Sequence, residues 1–288
     1  MNNSVSSPLR YPGGKSRALP QILPLVPTDF AEYREPMVGG GSVFLRLRQL
    51  FPDRRYWIND CNEELYCFWK VAQTRCDELI ACVSHIHRTT KDGRALFEEL
   101  VATYGTGDEL ERAVRFFVLN RITFSGTVAA GGYSEAAFRG RFTKSAIDRL
   151  AILPQLLEGV TITCCDYEPV VMAPGENVFL FLDPPYVTAT KSRLYGRNGM
   201  LHTQFDHERF AATVKRCRHR WLVTYDDSPL VRSLWGDMHI VEWTLQYGMN
   251  NYKQGRALPG RELFIANYDI EQLSEQQYSL TFDRRDSR

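Results

Sequence analysis

The stretch Val178-Phe179-Leu180-Phe181-Leu182-Asp183-Pro184-Pro185-Tyr186 decides the fold of this chain. Five consecutive apolar residues bounded by turn residues predict a buried strand. Two prolines then end the strand, because neither has an N–H to donate to a sheet ladder. In open α/β sheets, ligands bind at the carboxyl ends of the strands. The turn therefore presents a carboxylate, fixed carbonyls and an aromatic ring where a ligand is expected, and these groups suit a planar ring bearing an amino group.

Predicted strands and helices alternate on both sides of this stretch. Strands are predicted near residues 33–35 and at 56–60, 160–165 and 221–225, and helices at 43–50, with Ser42 as N-cap, and at 206–219. The segments 238–247 and 262–268 predict a terminal antiparallel hairpin. Such alternation is typical of a mostly parallel α/β sheet. A Pro-Pro turn taken alone is more often an ordinary β-turn, so its surroundings must decide its role.

A mostly helical block, from Cys61 to Lys144, interrupts the alternation. It contains a predicted helix from Glu63 to about Ile86, a second over 108–122, and a glycine-rich segment, 125–142, that predicts a long functional loop or hairpin. The pattern Ser145-x-x-Asp148 predicts a capping box for the next helix. The block has the size of a small inserted domain. We therefore divide the chain into one domain of residues 1–60 with 145–288 and a second of residues 61–144.

Composition is that of a globular protein, with 44% hydrophobic and 24% charged residues among 288. No apolar stretch reaches the length of a membrane span, and residues 1–5 lack the apolar core of a signal peptide. The seven cysteines are odd in number and form no CxxC pair, so neither a disulfide framework nor a zinc site is expected. We expect a cytoplasmic protein with no bound metal.

Local charge is uneven, although the net charge is only +1. Two short segments are rich in basic residues: Arg139, Arg141, Lys144 and Arg149 in the first, and Lys191, Arg193 and Arg197 in the second. Either cluster alone is typical of a solvated face. Two such clusters beside a candidate ligand site favour contacts with phosphates.

A glycine-rich segment, Glu35-Pro36-Met37-Val38-Gly39-Gly40-Gly41-Ser42, joins the first predicted strand to its helix. Glycines there let a ligand approach the backbone, and the helix N-terminus favours a negative group. Asp60 follows at the end of the next strand, where a ribose-binding carboxylate is expected. Together these features predict an adenosine-containing cofactor and leave both NAD and S-adenosylmethionine open. The missing third glycine of the dinucleotide pattern favours the second.

Four motifs in one order carry a resemblance to a known family. They are Pro12-Gly13-Gly14-Lys15, Glu35 to Ser42, Asn59-Asp60, and Asp183-Pro184-Pro185-Tyr186. In this order the chain resembles the Dam-type (D12 class) DNA adenine-N6 methyltransferases from Arg10 to about Tyr268. The resemblance implies a Rossmann-like methyltransferase fold that uses S-adenosylmethionine, with the inserted helical block as a target-recognition domain for double-stranded DNA. It also implies a possible cognate restriction endonuclease, or none.

The resemblance implies roles for particular residues. The catalytic set is Asp183, Pro184, Pro185 and Tyr186. The cofactor would contact Tyr11, Gly13, Gly14, Lys15, Glu35, Met37, Gly39, Gly41, Asp60, Asp166, Tyr167 and Asp183. Contacts to DNA are predicted for aromatic, polar and basic residues of the insert and of the loop after the Pro-Pro turn: Arg121, Ser125, Tyr133, Arg139, Arg141, Lys191 and Arg193.

The chain departs from the family at two places. Met37 stands where relatives carry Phe, and Met keeps the apolar surface. The segment that GATC-reading members use, close to Gly-Glu-Phe-Asn-Val-Pro-Phe-Gly, is absent, and residues 131–142 differ from it throughout. The resemblance therefore does not extend to GATC recognition.

The expected chemistry follows from the adenine amino group, whose lone pair is delocalised into the ring. Asp183 and the Pro184 carbonyl would accept its two hydrogens, and Tyr186 would stack on a base flipped out of the duplex. Other acceptors for the same chemistry are an RNA adenine, a cytosine N4 or a glutamine amide. Two further alternatives are a nucleotide-dependent oxidoreductase, which leaves the Pro-Pro turn unexplained, and a catalytically inactive DNA-binding module.

Overall fold

A computed structural model describes residues 6–187, 205–245, 260–271 and 273. Its strands form one seven-stranded sheet: β1 (Glu32–Glu35), β2 (Arg55–Asn59), β3 (Thr161–Thr163), β4 (Val178–Leu182), β5 (Arg220–Asp226), β6 (His239–Leu245) and β7 (Gly260–Ala266). The strand order is β3-β2-β1-β4-β5-β7-β6. Strands β1 to β5 pair in parallel, whereas β7 is antiparallel to both β5 and β6. This is the predicted mostly parallel sheet with a terminal antiparallel hairpin.

The central strand β4 is buried along its whole length, as its apolar run predicts. Its side chains alternate between two hydrophobic clusters, because successive residues of a strand point to opposite faces. Phe179 and Phe181 enter one cluster, and Val178, Leu180 and Leu182 enter the other. Burying a side chain such as Phe179 contributes roughly 1.5–3 kcal/mol. The site at the end of β4 is thus anchored in the core of the protein.

Helices cover both faces of the sheet. Within the described residues they are α1 (Leu19–Ile22), α2 (Ser42–Leu50), α3 (Glu63–Thr74), α4 (Cys76–Thr89), α5 (Gly93–Ala102), α6 (Glu109–Ile122), α7 (Glu135–Arg141), α8 (Lys144–Asp148), α9 (Leu153–Leu157), α10 (Tyr167–Met172), α11 (His207–Arg216) and α12 (Pro229–Trp235). Short 3-10 turns lie at Lys15–Arg17, Leu23–Leu25, Phe124–Gly126, Val128–Ala130 and Arg149–Ile152. None of these helices has the length and apolarity needed to cross a lipid bilayer.

The segment between β2 and β3 is helical, as predicted. Helices α3 and α4 both pack against α6. Helix α3 also packs against β3 and α9, so this segment and the sheet share one hydrophobic cluster. The division of the chain into two domains at residues 60/61 and 144/145 stays a prediction.

Several predicted elements are confirmed, including β4, α6, and the antiparallel pairing of β6 with β7. The helical stretch predicted over 63–86 is confirmed, but it is divided into α3 and α4, because Arg75 leaves the helical region (φ −140°, ψ 38°). The predicted capping box at Ser145 is wrong. Thr143 is the N-cap of α8, and its side chain accepts a hydrogen bond from the N–H of Ala146 at 3.3 Å.

The glycine-rich segment 125–142 is only partly a loop. An isolated antiparallel bridge joins Thr123 to Tyr133, and α7 follows at once. Ser134 starts this helix, since its hydroxyl accepts a hydrogen bond from the N–H of Ala137 at 3.2 Å. The serine cap is the signal in the sequence that would have predicted the helix.

Candidate active site

The carboxylate of Asp183 lies at the end of β4 and has two donors from distant parts of the chain. The ammonium group of Lys15 forms an ion pair with it at 2.7 Å. The hydroxyl of Thr224, on the neighbouring strand β5, donates to its Oδ1 atom at 2.7 Å. Lys15 and Thr224 are both buried, whereas the Asp183 side chain keeps 23% of its surface exposed. Two buried donors therefore hold the carboxylate in place, while part of its surface stays accessible to a ligand.

Lys15 reaches Asp183 from a tight turn near the N-terminus of the chain. The N–H of Gly14 donates to the carbonyl of Tyr11 at 3.0 Å, which closes the turn. The Lys15 ammonium donates back to the carbonyl of Gly13 at 2.9 Å. It also lies 5.0 Å from the centre of the Tyr186 ring. The turn thus places the ammonium group of Lys15 beside the side chains of both Asp183 and Tyr186.

The aromatic ring of Tyr186 is held at its outer end. Its hydroxyl donates to Oε2 of Glu262, on β7, at 2.6 Å. The ring packs beside that of Tyr225, with the centroids 6.1 Å apart and the planes at 34°. The next residue is fixed as well, since the N–H of Val187 donates to Oδ1 of Asp226 at 2.9 Å.

The glycine segment after β1 owes its composition to close packing. Gly39 has φ 47°, and a Cβ there would lie 2.7 Å from a ring carbon of Tyr11. Gly41 has φ 65°, and a Cβ there would lie 2.8 Å from the Trp69 ring. Larger side chains are thus excluded both by sterics and by the left-handed backbone. The glycines bring a bare, rigid backbone to the edge of the sheet.

Glu35 is the last residue of β1, and its side chain caps helix α2. Ser42, which was predicted to cap this helix, is instead the first residue of α2. The Oε2 atom of Glu35 accepts hydrogen bonds from the hydroxyl of Tyr33 at 2.5 Å and from the N–H of Phe44 at 3.0 Å. The pKa of Glu35 is raised to about 8, chiefly by burial and also by the nearby Asp183 carboxylate, while the hydrogen bonds and Lys15 oppose the shift. This carboxyl is therefore a buried acid beside the Asp183 carboxylate.

Asp60, directly after β2, lies against the glycine segment. Its Oδ2 atom accepts a hydrogen bond from the N–H of Gly39 and its Oδ1 atom one from the N–H of Asn62, each at 3.0 Å. Burial raises its pKa to about 6, against the effect of these two hydrogen bonds. The neighbouring Asn59 joins three strand ends, because its amide group donates to the carbonyls of Pro36 and Cys165 at 2.9 Å.

The predicted cofactor residues after β3 form a separate group. Asp166 is exposed and forms an ion pair with Arg209 of α11 at 3.0 Å. The Arg209 guanidinium also lies 5.2 Å from the centre of the Tyr167 ring, and that ring is buried. Met37 is partly buried and packs against the cluster on the same side of the sheet as Tyr167.

The predicted DNA contacts are found in different environments. Arg121 is buried and donates to the carbonyl of Pro8, and burial lowers its pKa to about 10. Tyr133 is also buried and donates to Glu135, which binds Arg139 at 2.5 Å. Arg141 is exposed. Ser125 occupies a left-handed conformation with φ 54°. Lys191 and Arg193 lie outside the described residues.

Two residues that contact the Asp-Pro-Pro-Tyr motif were not predicted from the sequence: Thr224 and Glu262. Thr224 is a polar residue inside the apolar pattern of β5, and Glu262 directly precedes the apolar run of β7, so their polarity is a signal visible in the sequence. Phe124 keeps 61% of its surface exposed, which is unusual for so large an apolar side chain. Within the described residues, no group of three or more His, Cys, Asp or Glu side chains is arranged to hold a metal ion.

Comparison with known proteins identifies the class. The profile of the D12 class N6 adenine-specific DNA methyltransferases matches residues 11–249, and the chain therefore belongs to this family. The type II methyltransferase M1.LlaDCHI of Lactococcus lactis subsp. cremoris is 23% identical over 283 residues, which cover 90% of this chain and 94% of that protein.

Two further relatives agree with this assignment. The type II methyltransferase M.MjaIII of Methanocaldococcus jannaschii is 29% identical over 64% of this chain and 70% of its own. The DNA N-6-adenine-methyltransferase of Escherichia phage P1 is 25% identical over 79% of this chain and 31% of its own. The chain is thus an S-adenosylmethionine-dependent, adenine-specific DNA methyltransferase, as the sequence motifs predict. This class is favoured over the RNA, cytosine, glutamine and oxidoreductase alternatives.

Proposed function

We propose that this enzyme methylates the N6 atom of an adenine flipped out of duplex DNA, with Asp183 and Tyr186 forming the base site. The observation that carries the proposal is the Asp183 carboxylate, fixed by Lys15 and Thr224 yet open on one side. An ionised carboxylate has about four acceptor positions, so it retains capacity for an amino hydrogen. Tyr186 supplies the adjoining ring face on which a base can stack.

The groups at the sheet edge fit S-adenosylmethionine, which supplies a methyl group on a cationic sulfur. Glu35 is buried and Asp60 is partly buried at this edge, and the loss of contact with water raises the pKa of each carboxyl group. Burial of that kind favours partners that bring positive charge or hydrogen-bond donors. We assign Asp60 to the ribose hydroxyls, and Glu35 with the Gly39–Gly41 backbone to the remainder of the cofactor. Tyr11, Gly13, Gly14 and Met37 border the same space in this proposal.

The reaction requires that the amino group of adenine become a better nucleophile. Asp183 accepts one amino hydrogen and the Pro184 carbonyl the other. These two hydrogen bonds favour a tetrahedral nitrogen, whose lone pair is then less delocalised into the ring. Lys15 and Thr224 keep the carboxylate in place before the base arrives, so no reorganisation is needed during the reaction. Positioning of this sort accounts for a large part of the rate of group transfer.

On the DNA side, Phe124 is our candidate for filling the gap left by the flipped base. Two residues of the turn that follows it, Ser125 and Val128, have φ of 54° and 53°, and such strain persists only where the surroundings hold it. The hydroxyl of Thr123 accepts from the N–H of Val128 at 3.2 Å, and a Cβ on Gly126 would collide with the Arg10 carbonyl. The turn thus presents the Phe124 ring rigidly.

Phosphate contacts are assigned to basic residues that face solvent. Arg141 and Arg139 are exposed, so both side chains can reach a DNA backbone. Arg139 also forms an ion pair with Glu135. Arg121 and Tyr133 act in this proposal by supporting neighbouring segments, because both are buried. Asp166 and Tyr167 would contact the adenine of the cofactor. We also propose that Lys191 and Arg193 contact DNA.

The type II names of two relatives support a role in restriction and modification, with a cognate endonuclease as the partner. An enzyme that methylates cellular DNA would work where that DNA lies, and we accordingly propose a cytoplasmic location.

The proposal is tested by transfer of labelled methyl groups from S-adenosylmethionine to duplex DNA, RNA and protein, followed by nucleoside analysis. We expect N6-methyladenine in duplex DNA alone. Label in cytosine, RNA or protein, or no label in any acceptor, would contradict the proposal. Expression in a methylation-deficient host and sequencing of modified adenines would then identify the recognised site.

A further inference from the structure

The catalytic turn is supported from behind by polar residues of the two strands that follow β4 in the sheet. Three of them are buried and each is hydrogen-bonded to a different residue of the turn: Thr224, Asp226 and Glu262. Asp226 and Glu262 are partners in the register of β5 and β7. The support of the turn therefore extends across the sheet into the antiparallel hairpin.

Glu262 is the least expected member of this group. It keeps only 1% of its surface exposed and precedes Leu263, Phe264 and Ile265, which are all buried apolar residues. A buried carboxylate is unfavourable unless it has hydrogen-bond donors. The Tyr186 hydroxyl is such a donor, at 2.6 Å from Oε2. Packing of β7 alone would be satisfied by an apolar residue, so this carboxylate points to a task at the site.

The task follows from the freedom of a tyrosine side chain. A tyrosine side chain can point in several directions from its backbone, because its χ1 torsion has several staggered wells. The Glu262 carboxylate holds the hydroxyl end of Tyr186 in one place, and the Tyr225 ring packs beside it at a centroid distance of 6.1 Å. The position of the ring is thereby fixed before any ligand binds.

We propose that Glu262 is a positioning residue for methyl transfer, acting through the Tyr186 hydroxyl to hold in place the ring on which the target adenine stacks. This inference rests on the proposed function, in which Tyr186 stacks on the flipped base. Glu262 itself would contact neither the base nor the cofactor. Its effect should therefore disappear when the hydroxyl of Tyr186 is removed.

A double-mutant cycle tests this dependence with Glu262→Ala, Tyr186→Phe and the double variant. Each single change should lower kcat on duplex DNA about tenfold, the effect of one lost hydrogen bond to a charged group. The double variant should be no slower than Tyr186→Phe, and the affinity for S-adenosylmethionine should stay unchanged in all three. An equal loss from Glu262→Ala in both backgrounds, or no loss in either, overturns the proposal.

Two further variants serve as controls. Glu262→Gln keeps an acceptor oxygen at the same place and should restore most of the activity lost in Glu262→Ala. Glu242→Ala makes the same change at an exposed position of the neighbouring strand β6 and should leave kcat unaltered. If Glu262→Ala does not fold, Tyr186→Phe decides the matter, since an unchanged kcat in that variant overturns the proposal.

The outcome is separable from that of the proposed function. A wild-type enzyme that leaves duplex DNA unmethylated contradicts the proposed function itself. An active wild-type enzyme with additive losses in the cycle contradicts only the role of Glu262.

Discussion

Thr224 on β5 donates a hydrogen bond to Asp183 at the end of β4, with 2.7 Å between the hydroxyl and carboxylate oxygens. The two strands are parallel neighbours, so their carboxyl ends meet at one edge of the sheet. This places a neutral donor behind the carboxylate on the side away from the open face. The orientation of the base acceptor therefore depends on the adjacent strand as well as on the Asp-Pro-Pro-Tyr turn.

The first prediction concerns that hydroxyl. Thr224→Val keeps the shape of the side chain and removes the donor, so the Asp183 carboxylate loses one of its fixed partners. We expect kcat to fall about tenfold with cofactor affinity retained. Thr224→Ser keeps the hydroxyl and should remain close to wild type in the same steady-state assay. Equal activities of the Val and Ser variants would show that the hydrogen bond has no role in methyl transfer.

The second prediction concerns the ion pair of Lys15 with Asp183. Lys15→Met removes the buried cation and leaves the carboxylate with less support on that side. We expect methyl transfer to decrease at least about tenfold, since breaking a buried charge pair removes more than a surface contact does. Arg17→Met removes the same charge from an exposed position two residues later and is the matched control. A Lys15→Met enzyme as active as Arg17→Met would contradict this role.

The third prediction is a pH dependence of cofactor binding. The pKa of Asp60 is raised by burial to about 6, and only the ionised carboxylate accepts hydrogen bonds from both ribose hydroxyls. The affinity for S-adenosylmethionine should therefore fall as the pH decreases through about 6. Calorimetric titrations between about pH 5 and 8 measure this directly. Asp60→Asn should bind more weakly and lose this part of the dependence, and a slope that persists in this variant would assign the titration to another group.

The same raised pKa predicts a change in stability with the opposite sign. The folded protein retains the Asp60 proton to a higher pH than the unfolded chain does. Its contribution to the free energy of unfolding of the ligand-free enzyme is thus present at low pH and is lost as the pH rises from about 4 to about 6. Thermal unfolding of wild type and Asp60→Asn across that range should differ in slope.

The fourth prediction concerns base flipping. Phe124→Ala removes the exposed ring. The space that the flipped base leaves in the duplex would then contain no aromatic ring on which the neighbouring bases can stack. Stacking of a base on an aromatic side chain contributes about 1–3 kcal/mol, so flipping should weaken about tenfold. The fluorescence of 2-aminopurine at the target position measures it. Leu50→Ala, an exposed apolar residue at the end of α2, is the control, and an equal effect of both changes would contradict the role of Phe124.

The fold was predictable because its signals are local. The apolar run Val178–Leu182, the two prolines and the alternation of strands with helices defined the sheet and its ligand edge. The break at Arg75 was not predicted because both flanking helices share one apolar periodicity. Helix α7 was missed because the glycines of the segment 125–142 outweighed the serine cap.

The site was predictable in its motifs and less so in its supports. Lys15, Asp60 and Asp183 stand in recognisable patterns, and the fold brings Lys15 to Asp183 across 168 positions of the chain. Thr224 and Glu262 carry no motif, and their contacts arise from strand order and register. Their polarity beside apolar residues is visible in the sequence, but the residues that they contact are known only once the strands are arranged in the sheet.

The rate of methyl transfer to duplex DNA in a single turnover with Asp183→Ala shows directly whether the Asp183 carboxylate activates the target adenine. The variant should fold, bind S-adenosylmethionine measurably, and transfer methyl groups at least about 10²-fold more slowly than wild type, because the fixed acceptor for the amino group is gone. A folded, cofactor-binding Asp183→Ala enzyme that forms N6-methyladenine at a near-normal rate would contradict the account.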